Sequence, residues 1–220
     1  MQPKSEIEGY LIEEGAALIL RYGSWITEKL APNDHDLVAL YRSKERRKNF
    51  ELAHWDVTRL SIQELNQYIR TLDPVYATEP LLTGEVSYGS QWELDALRNT
   101  LFETELSQHT VHYNMSEALS EFQQARHLRQ QERHACSLRS LTFCLSHWAV
   151  AWWYANGKRP TTINDVMTEY GVEALYGELR SQIQTIPTEE APADVVKRLE
   201  QQVSNSIIGV ENQGKSVRPK

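Results

Sequence analysis

Three aspartates and a Gly-Ser pair near the start of the chain have the types and spacing for metal-assisted phosphate chemistry: Gly23-Ser24, then Asp34-His35-Asp36, then Asp56. Side chains alternate faces along a strand, so Asp34 and Asp36 project to one side, close enough to share a divalent cation. Two carboxylates that near repel each other unless a metal or a proton stands between them. An all-oxygen donor set favours a hard ion, Mg2+ or Mn2+, which keeps waters and substrate phosphates in its remaining positions. Gly23 has no Cβ, so backbone there can approach a ligand, and amides at a following helix N-terminus attract an anion. A triphosphate with its metal fits this layout.

Holding those residues takes a strand, a turn, a helix and a second strand. The apolar run Ala16 to Leu20 enters the Gly-Ser turn, and a second run, Leu37 to Leu40, leaves the aspartates. A short helix between Ser24 and Asn33, ended at Pro32, brings Lys29 near the phosphate site as a candidate contact. Ala53-His54-Trp55-Asp56-Val57 reads as another strand. It is expected to pair antiparallel with Leu37 to Tyr41 through the charged turn Arg42 to Asn49. In that register Asp56 lies beside Asp34 and Asp36 and can take the proton of an attacking hydroxyl, directly or through a second metal.

Gly-Ser, a gap of nine residues, Asp-x-Asp-apolar and then a lone strand aspartate: this ordered set resembles the nucleotidyltransferase superfamily that includes DNA polymerase β. More narrowly, it is similar to small stand-alone bacterial and phage nucleotidyltransferases with a helical C-terminal half. The likeness covers roughly residues 16 to 90, and the segment Leu81-Leu82-Thr83-Gly84-Glu85-Val86-Ser87-Tyr88-Gly89 continues it. His35 departs from the pattern, standing where that family usually carries an apolar residue; it is expected to face away from the metals. The resemblance implies transfer of a nucleoside monophosphate from a nucleoside triphosphate to a hydroxyl acceptor, with release of pyrophosphate. Asp34, Asp36 and Asp56 then form the metal and catalytic set, and Gly23 with Ser24 grips the outer phosphates. An RNA end, a protein hydroxyl and a small molecule all remain open as acceptor.

At 220 residues and a net charge of −7, the chain has room for one large or two small domains, and whole-surface binding of nucleic acid is disfavoured. The most basic stretch is the turn Arg42 to Lys48, a guide for a polyanionic acceptor or simply a solvated hairpin. Cys136 and Cys144 lie too far apart along a helix to bridge and read as buried structural thiols. With no signal peptide and no apolar run of membrane length, a reduced, cytoplasmic chain with no membrane partner is expected.

The expected architecture is α+β: a small mixed sheet flanked by helices over residues 1–90, a helical domain over 91–186, and a linker, short helix and tail over 187–220. Ser61 and Glu64 form a capping box opening a helix to about Leu72. Asp73-Pro74 starts the next helix and Pro80 breaks it. Strand signals vanish after Trp92. Helical spacing puts Trp92, Leu94, Leu97, Leu101 and Leu106 on one helix, and Ser116 to Tyr154 on one long or two stacked helices. Arg126, Arg129 and Arg133 share a helical side, and an arginine fork from Arg133 or Arg139 suits a triphosphate or acceptor phosphate, against the plainer reading of a solvated, ion-paired face. Asp194 to Ile208 forms a last amphipathic helix, a candidate for self-association through the helical half, and Gly209 begins a tail. The rival readings are a nucleotide-binding or antitoxin-like interaction protein with an inactive site, and a pure scaffold.

Overall fold

The computed structural model describes residues 5–23, 35–43, 47–52, 55–185 and 192–214. The architecture is α+β. The chain divides into two compact units, Met1–Ser107 with Arg159–Thr162, and Gln108–Lys158 with Ile163–Lys220.

The first unit holds a mixed five-stranded sheet of β1 (Leu18–Tyr22), β2 (His35–Tyr41), β3 (Phe50–Leu52), β4 (Trp55–Ser61) and β5 (Glu85–Tyr88), in the order β3-β4-β2-β1-β5. β1 is antiparallel to both β2 and β5, and β3 is antiparallel to β4. β4, however, runs parallel to β2, which corrects the antiparallel pairing expected for the Asp56 strand. The antiparallel partner of β4 is β3, three residues hidden at the end of what reads in sequence as a charged turn. The chain reverses along the outer edge in β3, and β4 then enters between β3 and β2.

Period-two alternation gives the sheet two apolar faces. One face carries Ile19, Leu37, Ala39, Tyr41 and Val57 and is covered by Ile7 and Leu11 of helix α1 (Glu6–Glu13). Ser5 caps α1, its hydroxyl accepting from the Glu8 N–H at 3.2 Å. Glu8 is buried on that face, where it accepts from Arg21 Nε at 2.6 Å and from the Ser87 hydroxyl. Past the end of α1, Glu14 accepts from Tyr10, Tyr41 and Arg59, tying the helix to β2 and β4.

The other face buries Leu18, Leu20, Val38, Leu40 and Leu60. Helix α2 (Ile62–Thr71) covers it with Leu65 and Ile69. Its capping box forms as expected, the Ser61 hydroxyl accepting from the Glu64 N–H at 3.1 Å and the Glu64 carboxylate from the Ser61 N–H at 2.8 Å. Asp73 caps a π-helical turn, Pro74–Thr78, by accepting from the N–H groups of Val75 and Tyr76. Pro80 does not end a helix but sits at the second position of α3 (Glu79–Thr83), where a missing N–H has no partner to lose. Helix α4 (Gln91–Glu103) belongs to this unit, since Arg98 donates to the carbonyls of Leu81 and Gly84 at 2.6 and 2.9 Å. Leu106 lies beyond its end.

In the second unit, helices α5 (Gln108–Gln130) and α6 (His134–Ala155) form an antiparallel hairpin turning through Glu132 at φ +60°. The Ser137 hydroxyl donates to the Ala125 carbonyl at 2.8 Å, and deeper in the pair the His147 ring meets the Asn114 side chain at 3.0 Å. Helices α7 (Ile163–Glu169), α8 (Glu173–Thr185) and α9 (Ala193–Gly214) pack on α6. The last helix runs past Gly209, so the tail expected from that residue is helical to Gly214. Its stripe of Val196, Leu199 and Val203 is fully buried within the unit. Trp148 is likewise fully buried. Cys144 is buried but Cys136 is exposed, which corrects the reading of both as buried thiols. Among the described residues, no helix is long and apolar enough to cross a membrane.

Candidate active site at the acidic end of the sheet

Asp36 and Asp56 are directly opposed across the parallel pair of β2 and β4. Adjacent strands lie about 4.8 Å apart, and register partners share a face, so the two carboxylates rise from neighbouring positions on one side of the sheet. Each aspartate is the second residue of its strand, which sets the pair at the sheet's end. Both are half-buried. The row continues on either side: Tyr22 pairs with Asp36 across β1, and the backbone of Glu51 pairs with Asp56 across β3.

Gly23 follows Tyr22 at φ +87°, a left-handed conformation that favours glycine. An added Cβ there would lie 2.1 Å from the Asp36 Oδ2. The end of β1 is therefore pressed against one of the two carboxylates.

Tyr22 was not a candidate from sequence, yet it belongs to this row. Burial holds its phenol well above the usual tyrosine range; Asp36, Asp56 and Tyr76 push it further the same way, while a hydrogen bond with Thr58 works against them. Thr58 is itself buried and stands two residues after Asp56 on the same face. The signal that could have found Tyr22 is its place one residue before Gly23, the last strand position before the turn.

Of the residues singled out from sequence, Gly23, Asp36 and Asp56 come together at this end. Ser24, Lys29 and Asp34 lie outside the described residues. Within the basic turn Arg42 to Lys48, residues 44–46 lie outside them as well, Arg42 pairs with Glu93 at 2.8 Å, and the Arg47 guanidinium covers the Tyr41 ring at 4.1 Å. His35 pairs with Trp55 in the ladder. Arg139 is on α6, in the second unit. In the same unit Arg126 and Arg129 both bind the Glu200 carboxylate, at 3.5 and 2.6 Å, so they are ion-paired with α9.

The donor chemistry of the pair suits a hard divalent cation: two carboxylates at register positions on neighbouring strands, with oxygen donors alone. No group of three His, Cys, Asp or Glu side chains able to hold a metal gathers among the described residues. Two protein carboxylates leave most of an octahedral shell to water and phosphate, the usual arrangement for Mg2+ at a phosphoryl-transfer site. An apolar cavity of about 190 Å³ lies on the same face but at the far end of β1 and β2, between Leu18, Leu40 and the α4 residues Trp92, Ala96 and Leu97. The acidic pair does not line it.

No protein-family model matches the chain. No curated protein matches it either. Among solved structures it is similar to a nucleotidyltransferase-like protein from Exiguobacterium sibiricum, at 15% identity and a TM-score of 0.40, over 96% of this chain and 72% of that one. A likeness so distant is one of outline and assigns no residue a role.

Proposed function

We propose that the chain is a metal-dependent nucleotidyltransferase that moves a nucleoside monophosphate from a nucleoside triphosphate to a hydroxyl acceptor. The observation that carries this reading is the opposition of Asp36 and Asp56 on adjacent parallel strands, at the end of the sheet where β1 leaves through Gly23. Two carboxylates held there by a backbone ladder face strong mutual repulsion, which a bound cation relieves.

In this reading Asp36, with Asp34 supplied from the preceding segment, binds Mg2+ or Mn2+. The cation would neutralise charge on the triphosphate and polarise the reacting phosphorus. Asp56 accepts the proton of the acceptor hydroxyl as its oxygen bonds to the α-phosphorus. The bond from that phosphorus to the bridging oxygen breaks, and pyrophosphate leaves. Gly23 and Ser24 close on the outer phosphates, with Lys29 as a further phosphate contact. The protein's contribution is mostly position and fixed charge, as in other phosphoryl transfers.

The test is incubation with each α-labelled nucleoside triphosphate and Mg2+ or Mn2+, against total cellular RNA, total protein and a small-molecule extract. Asp36→Ala and Asp56→Ala serve as controls. Label that moves only with both aspartates intact establishes the reaction and identifies the base and the acceptor class. Triphosphate that binds with metal but never transfers label would instead favour a nucleotide-binding interaction protein. Absence of any triphosphate binding ends the reading.

A further inference from the structure

We infer that Gly23 is a positioning residue for Asp36: the hydrogen in place of a side chain at Gly23 leaves the space in which the Asp36 carboxylate lies, and so admits that carboxylate's direction beside Asp56, which a Cβ would exclude. The inference rests on the metal-binding reading of the acidic pair. It differs from the role in which Gly23 approaches the phosphates, because here the glycine acts inside the protein, on a ligand.

Three observations converge on it. The register pairs Tyr22 with Asp36, so the residue after Tyr22 leaves the sheet beside that aspartate. Gly23 has φ +87°, which turns the chain in a way that a residue with a Cβ adopts only under strain. The site of an L-Cβ at Gly23 is 2.1 Å from Asp36 Oδ2, 3.2 Å from its Cγ and 3.5 Å from its Cβ. The first separation is far inside van der Waals contact, so a methyl group and the carboxylate cannot both keep their places. Asp36 is anchored by β2, paired on both sides, and its backbone cannot give way. The side chain would have to rotate, and the direction in which its oxygens point would change.

A metal site answers to ligand direction more sharply than a packed core does, since Mg2+ demands near-octahedral geometry at about 2.1 Å. A rotated Asp36 therefore loses cation binding even where the protein stays folded.

The experiment combines Gly23→Ala, Asp36→Ala and the double variant, each checked for folding by circular dichroism. Two quantities are read: Mn2+ affinity without nucleotide, from electron paramagnetic resonance of the free ion, and the thermal midpoint without metal. The expected result is a Mn2+ affinity at least tenfold weaker in Gly23→Ala. A midpoint loss from Gly23→Ala that shrinks when Asp36 is already alanine is expected alongside it. The φ strain is common to both backgrounds and cancels in that cycle, so the remainder reports the contact with the carboxylate. Wild-type Mn2+ affinity in Gly23→Ala, or midpoint losses that simply add, overturns the inference. Wild-type protein that takes up no Mn2+ overturns the metal reading and this inference with it, and the failure is recognised because the unmutated chain already shows it.

Discussion

Arg21 Nε lies 2.6 Å from Glu8 Oε1, and the glutamate side chain is only 1% exposed. This pair fastens α1 across the sheet face opposite the acidic site. A buried carboxylate that loses its cation is costly, whereas a matched apolar replacement of both partners is often neutral. Arg21→Ala is expected to destabilise the fold by about 3 kcal/mol, and Glu8→Leu with Arg21→Leu by much less. Urea unfolding of wild type and the two variants checks both expectations. A double variant no better than Arg21→Ala would show that the buried Ser87 hydroxyl, which also donates to Glu8, carries much of the cost.

Glu14 predicts a pH dependence. Burial acts to raise its pKa, but hydrogen bonds from Tyr10, Arg59 and Tyr41 outweigh that and hold the carboxyl below its ordinary value. Stability from a depressed carboxyl is present above the unfolded pKa and is lost as pH falls through the folded one. Glu14→Gln should therefore cost about 1 kcal/mol at pH 7, a difference that closes as the pH is taken below the ordinary glutamate range. Thermal midpoints of wild type and variant between pH 7 and pH 3 test the sign; a gap that widens on acidification would contradict it.

The acidic pair predicts opposite effects on activity and stability. Asp56→Asn removes the proposed proton acceptor, and transfer of label should fall by about a hundredfold or more. The same change removes one of two opposed charges, so the metal-free thermal midpoint should hold or rise. Calorimetry in EDTA reads this second effect. A midpoint well below wild type would mean that Asp56 holds the sheet together and that its loss of activity says little about chemistry.

The two thiols should separate by reactivity. Burial, with a smaller contribution from Glu121, pushes the Cys144 thiol up to about 12, while Cys136 is exposed. At neutral pH one thiol per chain should react promptly with a disulfide reagent, and peptide mapping should find the label on Cys136. Cys144 should react only in denaturant.

Much of the fold was legible where local chemistry decides. Ser61 and Glu64 announce a helix start through two hydrogen bonds that need no distant partner, and both form. The apolar runs before Gly23 and after Asp36 likewise mark strands. The direction of β4 was not legible, because β3 is three residues long and carries too little alternation to stand out from the charged turn before it. Pro80 misled for a related reason: proline stops a helix or starts one depending on a boundary that only the π-helical turn at Pro74–Thr78 reveals. At the candidate site, spacing alone marked Asp36 and Asp56, but the part played by Tyr22 depends on strand register, which a sequence does not carry.

The parallel entry of β4 also dictates an order of assembly. Antiparallel neighbours such as β3 and β4 can zip outward from the segment that joins them, but the parallel pairing of β4 with β2 joins strands that have β3 between them in the chain. Loop-closure entropy has to be met before that non-local pairing returns any stabilisation, which makes it a slow kind of step. Asp36 and Asp56 are strangers until it happens. A chain in which that pairing has not closed has its acidic pair divided, so the proposed cation chemistry needs the closed sheet.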